Sequence, residues 1–259
     1  MNIGGWIGIQ SPGSQSEAGY DDIETMTSST CSGSDCCGEG MFCSYACPPG
    51  YQKSQWPSLQ GATAQSVGGL YCSAGKLHLT NSALSSLLCI PGVSEVQVQV
   101  ENQLDQGVAI CRTDYPGTEA ETVPLTVAAQ STEDVTCPNE ESYYKWQGKL
   151  TSAQWYVNPA GVDASSACTW GDASSAIGNW APLNLGTGYS DGVAYLSMFP
   201  NTPTNAAGVD LDYYVTITGD GLSSPCQYYK GQYTTNSGTS STGCTVSPLH
   251  CYFQSPHPY

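Results

Sequence analysis

Two carboxylic acids, Asp114 and Glu119, flank a Tyr115-Pro116-Gly117 turn in the run Arg112-Thr113-Asp114-Tyr115-Pro116-Gly117-Thr118-Glu119. Paired carboxyls at one rim are what glycoside hydrolysis requires. One is protonated to donate to the leaving oxygen, and the other is ionised as nucleophile or base, roughly 5 Å away for retention and wider for inversion. The turn would carry both acids to one rim. Arg112, two residues before Asp114, shares its face on an extended segment, and a guanidinium there would hold Asp114 ionised. The same grouping also reads as a structural ion pair that pins a turn. Asp172, Asp191, Asp210 and Asp212 are further acids near turns or strands.

Aromatic rings add a second kind of sugar chemistry, because the axial C–H groups of a pyranose meet the negative face of the ring. Candidates for this role are Tyr143, Trp146, Trp155, Tyr156 and Trp180, with Tyr144 beside the first two. Successive residues of a strand point to opposite faces. In Tyr143-Tyr144-Lys145-Trp146, therefore, one ring of each pair goes to the core and the other is available as a platform. Core packing is the default for any single Trp, and Trp56, beside a cysteine cluster, reads as a structural plug. Other catalytic templates are missing from the chain: there is no G-x-S-x-G elbow, H-E-x-x-H pair, phosphate-cradling glycine loop or EF-hand spacing. The three histidines are His78, His250 and His257, none at the N-terminus where an oxidative copper site would need one. The residues call for no cofactor and no metal.

Thirteen cysteines in 259 residues set the redox compartment. Cys37, Cys43, Cys47 and Cys72 form a ladder spaced C-x5-C-x3-C-x24-C, with Cys31 and Cys36 upstream. Zinc sites favour C-x2-4-C knuckles with a nearby histidine, whereas here Cys36 and Cys37 are adjacent, so disulfides and an oxidising, secretory context are the expectation. The odd count leaves one thiol without a partner in the chain. The sequence opens at Met1 without an apolar leader, which reads as a mature or trimmed chain. Twenty-two acidic residues against six basic ones give a net charge of −16. That field repels phosphate backbones and anionic lipid, which excludes nucleic acid and membrane surfaces as partners and leaves neutral polysaccharide open.

The elements that must position these groups are strands. In Glu95-Val96-Gln97-Val98-Gln99-Val100-Glu101 valine occupies every second place, the period of a half-buried strand. Further strands are expected at 107–112, 122–128, 143–147, 152–157, 193–199, 211–218 and 227–234, with Gly, Pro, Asn and Asp between them, and a short helix at 82–89. Many short strands with such turns indicate an all-β fold, a disulfide-rich sandwich of Greek-key type. A polar stretch near 129–141 suggests two β subdomains: a cysteine-rich one at 1–138 and a Tyr/Trp-rich one at 139–259, with strands of one half able to complete a sheet in the other.

The cysteine ladder, together with Gly4-Gly5-Trp6, Cys43-Ser44-Tyr45-Ala46-Cys47-Pro48-Pro49-Gly50, Lys53-Ser54-Gln55-Trp56-Pro57 and Ser66-Val67-Gly68-Gly69-Leu70, resembles the fungal SUN family of cell-wall proteins, which is unrelated to the nuclear-envelope SUN domain. The likeness continues through Val108–Glu119, Tyr143–Lys149, Thr151–Asn158 and Gly178–Pro182. Family members carry a signal peptide and more sequence ahead of the Gly-Gly-Trp element, which this chain lacks. The resemblance implies a secreted or wall-associated protein of wall remodelling, septation and cell separation. It also implies a thaumatin-like all-β fold, membership of glycoside hydrolase family 132, and activity on β-1,3-glucan or β-glucosides. Non-catalytic binding of glucan or chitin, or a structural role in the wall, is the alternative. The family hands over no settled pair of catalytic acids.

Overall fold

The computed structural model describes residues 7–9, 39–40, 42–57, 66, 68–113, 115–116, 122–247 and 250–255. The chain forms two compact units, and neither is one continuous stretch. The first comprises Met1–Pro91, Asp114–Glu121 and Tyr144–Thr151; the second comprises Gly92–Thr113, Thr122–Tyr143 and Ser152–Tyr259. The partition is therefore not a single cut at 138/139, because strands from before and after that point share the same sheets.

The first unit is built from short antiparallel pieces: β1 (Ile7–Ile9), β2 (Phe42–Ser44), β3 (Tyr51–Lys53), β4 (Leu70–Ser73), β5 (Lys76–His78) and β6 (Cys89–Pro91). Their order is β1-β2-β4-β5, with β3 paired to β6. A Cys47–Cys89 disulfide closes this knot of turns. Gly69, at φ 113°, lies so close to the Cys43 carbonyl that any β-carbon would collide with it. The helix expected at 82–89 is replaced by turns: Cys89 is drawn into β6 opposite Lys53, and carbonyls of the segment accept from neighbouring groups. Leu88 O accepts from the Tyr45 hydroxyl and the Ser54 N–H, and Ser85 O from the Gln55 amide at 2.9 Å.

The second unit begins with β7 (Val98–Asn102), β8 (Val108–Thr113), β9 (Thr122–Val123), β10 (Thr126–Val127) and β11 (Ser131–Val135). The chain then returns to the first unit for the hairpin β12 (Lys145–Trp146) and β13 (Lys149–Leu150), and comes back as β14 (Ala153–Val157), a short helix α1 (Ala164–Ala167), β15 (Leu183–Ser190) and β16 (Val193–Pro200). After a second short helix, α2 (Thr202–Ala206), follow β17 (Val215–Asp220), β18 (Cys226–Tyr229), β19 (Gln232–Thr235), β20 (Gly238–Ser240), β21 (Cys244–Val246) and β22 (His250–Ser255). They make two seven-stranded sheets. One runs β10-β8-β14-β15-β16-β21, with β9 also on β8; the other runs β11-β7-β22-β17-β18-β19-β20. All pairs are antiparallel except β7–β22. The alternating valines of β7, Trp155 and Val157 of β14, Leu183 and Leu185 of β15, Ile217 of β17 and Phe253 of β22 belong to one apolar cluster, so the sheets pack face to face as a β-sandwich. Each such side chain, fully buried, contributes about 2 kcal/mol of transfer free energy. The fold class is all-β, as the turn-punctuated sequence indicates.

Disulfides and buried amides lock the sandwich. Cys226 on one sheet is bonded to Cys244 on the other, and Cys111 of β8 is bonded to Cys168 just past α1. Asn102, 1 % exposed, directs its side-chain amide at the carbonyls of Gln106, Val127 and Ala128 and accepts from the Leu104 N–H. Asn158 ties Ala109 and Gly178 together in the same way and accepts the Tyr213 hydroxyl on its own carbonyl. Burial pushes the Tyr213 phenol well above its ordinary range. Replacing Asn102 by Leu strands those carbonyls, and a loss of about 3 kcal/mol in urea unfolding is expected. A Cys226→Ser/Cys244→Ser pair opens a loop of sequence separation 18 and is expected to lower stability by about 3 kcal/mol in the same assay.

Candidate functional site

Asp114 and Glu119 lie outside the described residues. Arg112 is described: it sits on β8 directly across from Trp155, with its guanidinium carbon 5.8 Å from the indole centroid. Its Nε and Nη2 are enclosed without a hydrogen-bond partner.

The predicted aromatic platforms separate into two groups. Trp155 is 3 % exposed, part of the apolar cluster, and faces Leu185 in register. Tyr144 is 2 % exposed, stacked on Tyr115, edge-on to Trp56 and hydrogen-bonded to Ser66. Tyr143 is also buried. Packing claims these three rings, of which Tyr143 and Trp155 are among the candidate platforms. Trp146, Tyr156 and Trp180 remain half-buried. The Trp180 Nε1–H donates to the Gly171 carbonyl at 3.1 Å, and the Trp180 carbonyl accepts from the Thr204 hydroxyl. Trp170, which the sequence did not single out, is 44 % exposed. The cysteine grouping changes as well. Cys47 pairs with Cys89, Cys43 is disulfide-bonded, Cys72 is a half-buried free thiol, and Cys37 lies outside the described residues. Among the described residues no cluster of His, Cys, Asp and Glu is able to hold a metal ion.

A carboxyl the sequence reading passed over occupies the most distinctive position. β14 stops at Ala153, opposite Thr187 of β15. Beyond that point the free edge of β15 is taken by the segment 136–140. The Thr187 hydroxyl donates to the Thr136 carbonyl, the Tyr189 N–H donates to the Pro138 carbonyl at 2.9 Å, and the Glu140 N–H donates to the Tyr189 carbonyl at 2.9 Å. This clamp lays the Glu140 side chain across Gly188, where any β-carbon would overlap the carboxyl group. Gly188 in turn faces Tyr195 of β16 in register, and that ring is 40 % exposed.

The electrostatics follow from this placement. Burial pushes the Glu140 carboxyl above its ordinary value, with no other cause acting on it. Its neighbour Glu141 is exposed and hydrogen-bonded instead: its Oε1 accepts from the Ser190 hydroxyl at 3.2 Å and the Asp191 N–H at 3.0 Å. Those two residues belong to the β15–β16 hairpin, whose turn residues Asp191 and Gly192 have φ of 51° and 77°. Two consecutive acids are thus held in contrasting surroundings, one desolvated and one hydrogen-bonded, beside an exposed ring. The signal for this site was invisible locally: Glu140 falls in the polar seam, and its seat is a glycine on a distant strand.

A folded-state pKa raised above the unfolded value favours folding below the ordinary carboxylate range and opposes it once pH rises through the raised value. Glu140→Gln is therefore expected to raise the thermal midpoint at pH 7 by about 1–2 °C, with the difference from the parent vanishing near pH 3 in paired melting curves.

Comparison with known proteins is consistent along almost the whole chain. A family model described as "Beta-glucosidase (SUN family)" matches residues 1–246. The chain is 54% identical over 251 residues to the "Secreted beta-glucosidase sun1" of Aspergillus fumigatus, covering 96% of this chain and 58% of that protein. It is 44% identical over 248 residues to the "Probable secreted beta-glucosidase UTH1" of Saccharomyces cerevisiae, covering 95% and 62%. It is also 44% identical over 258 residues to the "Probable secreted beta-glucosidase C2G2.17c" of Schizosaccharomyces pombe, covering 98% and 74%. The chain thus spans less than two thirds of the first two of these relatives. Among solved structures, the crystal structure of the protein elicitor MoHrip2 from Magnaporthe oryzae aligns at 13% identity, covering 62% of this chain and 98% of that one. Its TM-score of 0.34 is too low to argue a shared fold. With the family model matched from its first residue to residue 246, the chain belongs to the SUN family.

Proposed function

We propose that this chain is the glucan-directed part of a secreted fungal wall protein, and that Glu140 supplies the proton in cleavage of a β-glucosidic bond. The observation that carries the reading is the desolvated Glu140 carboxyl, with its raised pKa, laid over Gly188 beside the exposed ring of Tyr195. A general acid must still hold its proton near working pH, and desolvation by burial achieves this. In the proposed step Glu140 gives its proton to the glycosidic oxygen and the bond from that oxygen to the anomeric carbon breaks. Water adds at that carbon, and its proton passes to an ionised carboxylate. Glu141 is the adjacent acid for that second part, while Tyr195 stacks on a sugar face. Support also comes from the relatives, whose names describe secreted β-glucosidases, and from the net charge of −16, which suits a neutral polysaccharide. Asp114 and Glu119 are the competing pair of acids.

Release of sugar from laminari-oligosaccharides separates these possibilities, with chito-oligosaccharides run in parallel. Glu140→Gln is expected to lower turnover at least about a hundredfold. Gly188→Ala, which expels the carboxyl from its seat, should do the same, while Asp114→Asn/Glu119→Gln retains activity. The parent's rate should fall as pH rises through the raised Glu140 value, because the acid form is then lost. Loss in the double variant with retention in Glu140→Gln would move the chemistry to the first unit. Binding of laminarin without release of sugar would mark the chain as a polysaccharide-binding module.

A further inference from the structure

The outer side of the second sheet of the sandwich is a separate surface rich in hydroxyl and amide groups. On β17, β18 and β19 the outward positions are Thr216, Thr218, Asp220, Gln227, Tyr229, Gln232 and Thr234, alternating with buried Val215, Ile217, Cys226, Tyr228 and Tyr233. Register places them in rows, Thr216 beside Gln227, Gln227 beside Thr234 and Tyr229 beside Gln232. The Gln227 amide donates to the Thr216 hydroxyl at 3.3 Å, and Tyr214 stacks on Tyr229 with centroids 4.2 Å apart and planes 9° apart.

What sets this face apart is its charge. A solvated protein surface ordinarily mixes Lys, Arg, Asp and Glu throughout, and this chain has 22 acids to distribute. Of these seven outward positions only Asp220, at the end of its strand, is charged. Among the described side chains the charged groups stand at the margins: Asp220 at the far end of β17, Lys230 in the turn with its ammonium 5.3 Å from the Tyr229 centroid, and Glu101 and Asp134 beyond β22. The centre is a flat grid of hydroxyls and amides, stepped about 4.8 Å across strands and about 7 Å along them, with a stacked aromatic pair at one end.

Charge complementarity selects the occupant. A charged partner would find no counter-charge on the grid, and a polyanion would also meet the repulsion of a net −16. An uncharged, hydroxyl-rich chain exchanges its hydrogen bonds with water for bonds to fixed donors and acceptors with a small net change, and packs its C–H groups against the tyrosine pair. We infer that this face binds the surface of an insoluble neutral polysaccharide, as a second contact on the opposite sheet from Glu140. It does not depend on hydrolysis at Glu140, so either can fail without the other.

The test is co-sedimentation of the full chain with particles of β-1,3-glucan, amorphous cellulose and chitin, at about 0.15 M salt. Two variants are compared with the parent: Tyr214→Ala/Gln227→Ala, and Thr234→Glu, which puts a carboxylate on an exposed position of the grid. Each is expected to weaken binding to at least one of the three solids about tenfold or more, with sugar release from soluble laminari-oligosaccharides unchanged. Should the double variant lose its cooperative melt, Thr234→Glu decides by itself. Equal sedimentation of variants and parent overturns the inference. So does a parent that sediments with none of the solids, or binding that is lost in Glu140→Gln and kept in the sheet variants.

Discussion

The long strands of the sandwich each have one side committed to a shared apolar core, and that commitment decides which side chains are left to do chemistry. Val98 and Val100, Trp155 and Val157, Leu183 and Leu185, and Val215 and Ile217 all turn inward. Slipping any of these strands by one residue would exchange its core set for its polar set, so the register is held by burial. The Cys226–Cys244 bond between the two sheets and the buried amides of Asn102 and Asn158 then bind strand ends and loops to the same core.

Against that frame the two outer faces differ in kind. On the first sheet, β14 runs out before β15 does, and the segment carrying Glu140 takes over the exposed edge of β15. A glycine at 188 gives the carboxyl a place to lie partly shielded from water. Its raised pKa is thus a consequence of strand lengths and of one missing side chain, with no charged neighbour involved. On the second sheet the alternation continues undisturbed and yields a broad polar surface free of charge at its centre. One face holds a single half-buried carboxyl; the other spreads many weak hydrogen-bonding groups.

The cysteines show a similar division. Their number and spacing identified the disulfide-rich class, yet the pairings join residues from 18 to 57 positions apart. Cys72, a member of the ladder, is a free thiol, while Cys47 reaches forward to Cys89. Spacing reports that cross-links exist; which sulfurs meet depends on how the turns between them close.

What the sequence by itself determined was the all-β class, the period-two strands such as Val98–Asn102 and Ala153–Val157, the turn-rich cysteine knot and the family. All of these rest on local patterns of residue type, which survive without knowledge of the partner strands. Only the tertiary structure decided the rest. β15 went unread because Leu183-Asn184-Leu185-Gly186-Thr187-Gly188 has two glycines and neither valine nor isoleucine, features that disfavour a strand until Ser197, Phe199 and Glu140 fill the space above them. The helix expected at 82–89 gave way to turns because Cys89 is committed to β6 and to the bond with Cys47, and the Gln55 amide takes the Ser85 carbonyl. Trp155 and Tyr144 went to the core, while Glu140 rose from a polar seam to the candidate site. In each case the deciding partner lies far along the chain, and burial, which sets both ring exposure and carboxyl pKa, is a property of the assembled sheets.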